Sequence, residues 1–174
     1  MFEGYPFIYV MNDRHSSAKH LDYTLQYRFR SERSNHTYIV RVEKYDGHSY
    51  CLKFYDKSNR NSLNKYNLRT NTFEPRTILY TIYHIMLDVL RRDYKASFFF
   101  IGAEDERDVL GASTRRYRVY RRFVSSVVSD RVFQHYRVND MSLYILVNKN
   151  AIPEEERDGY VNVIVENVKE AFTS

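Results

Sequence analysis

The chain has 174 residues, 43% of them apolar, and a formal net charge of +5 from 27 lysine and arginine residues against 22 aspartate and glutamate residues. One cysteine, Cys51, excludes a disulfide framework within the chain. No apolar run approaches the roughly 18 residues of a membrane helix, so we expect no membrane association. We expect a single cytoplasmic domain over residues 1–174, because this length suffices to bury a core.

The first predicted elements are an N-terminal arm and a β-meander. Residues 1–20 begin with the apolar segment MFEGYPFIYVM, which lacks a basic start and therefore predicts an arm or edge strand rather than a signal peptide. Apolar and polar residues alternate along 23–32 and 37–45, which indicates two strands. The dipeptide Asp46-Gly47 has the residue types of a two-residue type I′ turn, and the strand 49–57 then returns.

The rest of the chain predicts three helices and three strands. They are a helix from Pro75 to about Lys95, a strand at 97–103, a helix from about Thr114 to Val128, a hairpin of strands at 132–138 and 141–148, and a helix after Pro153. The predicted order is β-β-β-α-β-α-β-β-α. Adjacent strands with interspersed helices are typical of an α+β fold.

The second predicted helix begins with an unusual concentration of arginine. The segment STRRYRVYRR at 113–122 contains five arginines. At 100° per residue, Arg115, Arg118 and Arg122 share one exposed face, opposite a stripe of tyrosine and valine. Guanidinium groups beside free helix N–H groups suit a bound anion. The candidate binding residues on this helix are Arg115, Arg116, Arg118, Arg121 and Arg122.

The position of these cations needs an explanation, because positive charge in a first helical turn opposes the helix dipole. One explanation is an external anion, such as a phosphate, a nucleic acid or an acidic protein. The other is internal: the acidic loop EDERD at 104–108, or the cluster Glu154–Glu156, folds over the arginines and neutralises them. Both explanations are open at the level of sequence.

A second basic patch is predicted on the solvated face of the meander. Its residues are Gln26, Arg28, Arg30, Arg41, Lys53 and Tyr55. Basic and aromatic residues interleaved on a sheet can contact a nucleic-acid backbone and stack its bases. A solvated antiparallel face also carries charge without any partner. The candidate binding residues of this patch are Arg28, Arg30 and Lys53.

Known catalytic and metal-binding motifs are absent from the sequence, including GxSxG, the Walker loop, GxGxxG and HExxH. We therefore expect no cofactor and no metal. The nearest approach to a metal-dependent hydrolase site is the pair of dipeptides Glu43-Lys44 and Asp56-Lys57 on neighbouring predicted strands. Such pairs are also common on solvated strand faces, and a non-enzymatic protein is favoured.

Three segments carry a resemblance to other proteins: FFFIGA at 98–103, RYRVYR at 116–121 and YILVNK at 144–149. From Pro75 onward, this succession of an aromatic strand, an arginine–tyrosine helix start and a closing apolar strand resembles small uncharacterised proteins of Bacteroidetes and their mobile elements. The resemblance implies a similar α+β fold and no catalytic residues. It also implies, by association, an accessory role in phage or mobile-element defence.

These observations predict a non-enzymatic protein that binds a polyanion, either a nucleic acid or an acidic protein surface, through the arginine-rich helix. Two alternatives remain open. One is a protein-interaction module, such as an inhibitor or immunity factor, whose N-terminal arm docks on a partner or forms a homo-oligomer. The other is a metal-dependent nuclease or another hydrolase.

Overall fold

The computed structural model describes residues 3–15, 18–62, 65–66, 74–102 and 113–173, and the acidic loop 104–108 lies outside them. The strands in this part of the chain are β1 (Phe7–Asp13), β2 (Leu21–Arg30), β3 (Thr37–Tyr45), β4 (Ser49–Asp56), β5 (Ser97–Ile101), β6 (Phe133–Val138) and β7 (Leu143–Asn148). The α-helices are α1 (Pro75–Arg92), α2 (Arg115–Val127) and α3 (Glu154–Thr173). The predicted α+β order is confirmed, and the N-terminal arm contributes the edge strand β1.

The described strands form one sheet in the order β1-β2-β3-β4-β5-β7-β6. Neighbouring strands are antiparallel except for β4 and β5, which are parallel. Parallel strands need a crossover connection, and α1 provides it between the two. This crossover lays α1 across the sheet beside α2.

Different helices cover the two faces of the sheet. α1 and α2 pack on one face, where Ile85 and Tyr117 join the buried ring of Tyr27 in the larger core. α3 packs on the opposite face through Val161 and Ile164, which contact a second cluster in β5 and β7. None of the helices in the described residues combines the length and apolarity that a membrane span requires.

The turn between β3 and β4 is longer than predicted. Tyr45 pairs with Ser49, so the loop has three residues and the predicted two-residue turn is wrong. Gly47 and His48 both have positive φ, at 73° and 59°. His48 is held in this conformation by its Nδ1, which lies 2.7 Å from Asp93 Oδ2. A tertiary contact with the end of α1 therefore fixes the turn.

The same aspartate directly follows Arg92, the last residue of α1, so the helix ends three residues before the predicted end at Lys95. Asp93 is the C-cap residue, and its carboxylate also accepts a hydrogen bond from the Tyr50 hydroxyl at 2.8 Å. Burial by itself would raise the pKa of Asp93, but the hydrogen bonds from His48 and Tyr50 hold that pKa below its ordinary value.

Candidate anion-binding site

The start of α2 is fixed by hydrogen bonds to the ends of two strands. Thr114 is the N-cap residue: its hydroxyl accepts from the Tyr117 N–H at 3.1 Å and donates to the Gly102 carbonyl at 2.8 Å. The Thr114 N–H donates to the Ser142 hydroxyl at 2.8 Å. Tyr117 is fully buried, and its hydroxyl donates to Asn139 at 2.6 Å. These contacts set which face of α2 is exposed.

The exposed face of α2 forms one wall of an open groove of about 770 Å³, which we call the arginine groove. The first turn of α1 and the strand β6 complete it. Among the described residues, the arginines that line it are Arg76, Arg115, Arg118, Arg121, Arg122 and Arg137. Ser125 and Ser126 lie in the same groove and add hydroxyl groups. The structure thus brings together four of the five arginines predicted on this helix.

Arg116, the fifth, is not among the residues that line the groove. Its guanidinium group donates instead to the carbonyl of Tyr66, in the segment that follows β4. Arg116 is partly buried, whereas Arg115, Arg118 and Arg122 are exposed. Its local role is to tie this segment to the start of α2.

Three groove arginines have neutral hydrogen-bond partners. Arg118 donates to the carbonyl of Ser113, Arg121 to Asn139 Oδ1 at 3.1 Å, and Arg137 to Ser125 Oγ at 3.0 Å. In the described part of the chain, neither these three nor Arg122 forms an ion pair with a carboxylate within 4.0 Å. Their positive charges are therefore not neutralised by those carboxylates.

Glu154–Glu156 do not cover the arginines. They form the first turn of α3, on the opposite face of the sheet from α2, where all three side chains are exposed. The internal explanation from this cluster is therefore excluded by the geometry. The acidic loop 104–108, the other predicted source of negative charge, falls outside the described residues.

The first turn of α1 lines the groove through Pro75 and Arg76, and Arg76 forms an ion pair with Glu3 at 3.1 Å. Glu74 is the N-cap residue, but its side chain makes no capping hydrogen bond. The carboxylate turns instead into the core, where it accepts from the hydroxyls of Tyr5 and Ser31. The N-terminus of α1 therefore receives no side-chain cap from Glu74.

A chain of hydrogen bonds connects the groove to the core. Ser125 Oγ, which accepts from Arg137, lies 3.3 Å from the hydroxyl oxygen of the buried Tyr144. That oxygen lies 2.5 Å from Nδ1 of His135. Burial, and then the nearby charge of Arg137, lower the pKa of His135 below its ordinary value. The neutral imidazole is thus the form that the folded protein favours.

We predict that this histidine makes stability depend on pH. Because its folded-state pKa lies below the unfolded value of about 6.5, the unfolded chain binds the proton more readily. The resulting stability is present above pH ~6.5 and is lost as the pH falls through the folded-state pKa. Urea unfolding at pH 7.5 and at pH 5.5 measures this effect. The free energy of unfolding should decrease between the two pH values by less in His135→Gln than in the wild type.

The second predicted patch is partly neutralised within the sheet. Gln26, Arg41 and Lys53 lie side by side on β2, β3 and β4, as the alternation predicts. Arg41 forms an ion pair with Asp13 at 3.0 Å, and Lys53 forms one with Glu43 at 2.9 Å. Lys53 is therefore a poor candidate for binding an external anion. Asp13 belongs to β1, whose pairing with β2 the sequence pattern did not indicate.

Arg28 and Arg30 are the exposed cations of this patch. Arg30 donates to Asn35 Oδ1 at 3.3 Å, within the turn after β2. Neither of them lines the arginine groove. Two cations on a solvated strand do not by themselves indicate a binding site.

The carboxylates proposed for a hydrolase lie apart. Glu43 pairs with Cys51 and Asp56 pairs with Tyr38, and these two cross-strand pairs point to opposite faces of the sheet. Asp56 is bound by the imidazole of His36 rather than by a second carboxylate. Within the described ranges, no group of three or more histidine, cysteine, aspartate or glutamate side chains is placed to hold a metal ion.

Two groove residues, Arg76 and Arg137, were not among the predicted site residues. These two arginines reach the groove because α1 and β6 pack around α2. A local sequence pattern does not predict such packing. Comparisons of this chain with protein-family models, with curated proteins and with solved structures found no match. The resemblance to small Bacteroidetes proteins therefore stays a prediction, and function must be inferred from the groove.

Proposed function

We propose that the protein is a non-enzymatic binding protein that holds a polyanion in the arginine groove. The observation that supports this proposal is the convergence of Arg118, Arg121, Arg122 and Arg137 without a neutralising carboxylate among the described residues. Like charges that lie close together repel one another, and the attraction of each arginine to a bound anion offsets this repulsion. The planar guanidinium group binds phosphate and carboxylate oxygens in a bidentate manner.

The dependence of binding on salt tests this proposal. Fluorescence anisotropy with a labelled single-stranded DNA 20-mer, an RNA 20-mer and polyglutamate should show binding to at least one of them at about 50 mM salt. If four arginines contact phosphates of a single strand, the logarithm of affinity should fall with the logarithm of salt concentration with a slope of about −3. Absence of binding to all three probes at low salt would contradict the proposal.

The edge strand β1 supports a second candidate function, that of a protein-interaction module. The side chains of Ile8, Val10 and Met11 are 51%, 42% and 43% exposed. An edge strand also presents unpaired backbone N–H and C=O groups, so an exposed apolar edge is a site where another strand can pair. A second copy of β1 is the simplest partner to test.

We expect Val10→Lys to abolish self-association if β1 pairs with a second copy, because a charged side chain on an edge strand opposes pairing. Light scattering at about 50 μM should then give a dimer for the wild type and a monomer for the variant. Val163→Lys is a matched control, since Val163 is 56% exposed and lies on α3 rather than on the edge strand β1. A monomeric wild-type protein would contradict self-association through β1.

A further inference from the structure

An apolar cavity of about 60 Å³ lies beneath the arginine groove, between α1, α2 and the sheet. Leu79 and Phe123 line both the cavity and the groove, so the two spaces adjoin. Other side chains around the cavity include Met86, Phe100 and Val124. The molecule therefore presents an apolar recess beside a concentration of positive charge.

The size of the cavity restricts what it can hold. A cavity of about 150 Å³ accepts benzene, and an apolar cavity does not attract water. A space of about 60 Å³ is too small for a nucleobase, which is larger than benzene. It is suited to a short aliphatic group, such as the end of a leucine or valine side chain, whose burial is favourable in an apolar lining.

The aromatic side chains at this site are already in contact with one another. Phe123 meets Tyr80 edge to face, with ring centroids 4.9 Å apart. The ring centroid of Tyr120 lies 6.1 Å from that of Phe54 and 5.8 Å from that of Phe100. Proteins that bind single-stranded nucleic acids combine a basic groove with open aromatic faces on which bases stack. Among the residues that line this groove, Phe123 is the aromatic one, and its ring is engaged.

The apolar surface continues from the cavity into the groove. Val119, which follows Arg118 on α2, lines the groove and is 36% exposed. A ligand that contacts Arg118 and Arg122 therefore also meets an apolar side chain. Such alternation of charge and apolar contact suits a polypeptide, in which acidic and aliphatic side chains follow one another along the chain.

We propose that the polyanion is an acidic segment of a partner protein that places one aliphatic side chain in the cavity and its carboxylates on Arg118 and Arg122. This proposal rests on the function proposed above and specifies the class of partner. The arginines supply attraction and orientation, and the buried aliphatic side chain acts as the anchor that carries much of the binding energy. A nucleic acid would use the charge and leave the cavity empty.

Two labelled heptapeptides test the anchor: six glutamates around a central leucine, and the same peptide with a central alanine. At about 0.1 M salt, we expect the leucine peptide to bind wild-type protein roughly tenfold more tightly than the alanine peptide. Val124→Phe, which fills the cavity, should lower this ratio to about one. Val124→Ala leaves the cavity open and should keep this ratio well above one. Circular dichroism of each variant tests whether it is folded.

The outcomes separate this inference from the proposed function. A leucine-to-alanine ratio of one for the wild type, or tighter binding of a single-stranded DNA 20-mer than of the leucine peptide at equal salt, would overturn the acidic-partner proposal. In either case, loss of binding in Arg118→Glu/Arg122→Glu would still support a polyanion site. If that double variant binds every probe as the wild type does, the proposed function itself is wrong.

Discussion

Reversing the charge of two groove arginines, by Arg118→Glu and Arg122→Glu together, is expected to weaken binding of every anionic probe by about a hundredfold or more. Each hydrogen bond to a charged group contributes about 1.5–3 kcal/mol, so the loss of two contacts removes roughly 3–6 kcal/mol. The introduced carboxylates then repel the ligand as well. Anisotropy at about 0.1 M salt, with the probes used for the wild type, measures this loss.

The same variant should fold normally. Arg118 and Arg122 are exposed, and in the described part of the chain neither pairs with a carboxylate. Substitutions at such surface positions usually change the free energy of unfolding by less than about 0.5 kcal/mol. Replacing Arg118, which lies near the start of α2, by an acid also removes an unfavourable interaction with the helix dipole. Loss of binding would therefore report on the groove and not on unfolding.

A matched control changes the net charge equally at other sites. Arg14 and Arg60 are exposed and do not line the groove. Arg14→Glu/Arg60→Glu should alter the affinity for the anionic probes by no more than a few fold, because distant charges are largely screened at about 0.1 M salt. Equal weakening by both double variants would mean that net charge, and not the groove, governs binding.

Sequence patterns predict the parts of this site that depend on local geometry. The 3.6-residue period of a helix is enough to place Arg115, Arg118 and Arg122 on one exposed face, because each position follows from its spacing along one element. The alternation along β2, β3 and β4 likewise places Gln26, Arg41 and Lys53 on one face of the sheet, since side chains along a strand alternate with a period of two.

Features that depend on tertiary contacts are not predictable from these patterns. The ion pair between Arg41 and Asp13 requires the register of β1 against β2, which contains a bulge between Tyr9 and Met11. The groove needs Arg137, which β6 brings beside α2. In each case, two segments that are distant in sequence determine whether a cation is neutralised or left in the groove.

The second large effect is expected at Gly102, where the chain leaves β5. A Cβ atom added there would lie 2.4 Å from the backbone nitrogen of Tyr117 and 2.6 Å from the hydroxyl oxygen of Thr114. Neither atom moves easily, because Tyr117 is fully buried and Thr114 caps α2. We expect Gly102→Ala to lower the free energy of unfolding by about 3 kcal/mol or more, as overpacking of a rigid core does. Urea unfolding measures the change.

Gly159→Ala provides a control of the opposite sign. Gly159 lies on the exposed side of α3, and a Cβ atom added there would meet nothing within 4 Å. Since alanine favours a helix over glycine by up to about 1 kcal/mol, this substitution should stabilise the protein. The same residue change would thus have opposite effects at the two positions. If Gly102→Ala leaves stability unchanged, α2 does not pack against the end of β5 as closely as described, and the orientation of the arginine groove must differ accordingly.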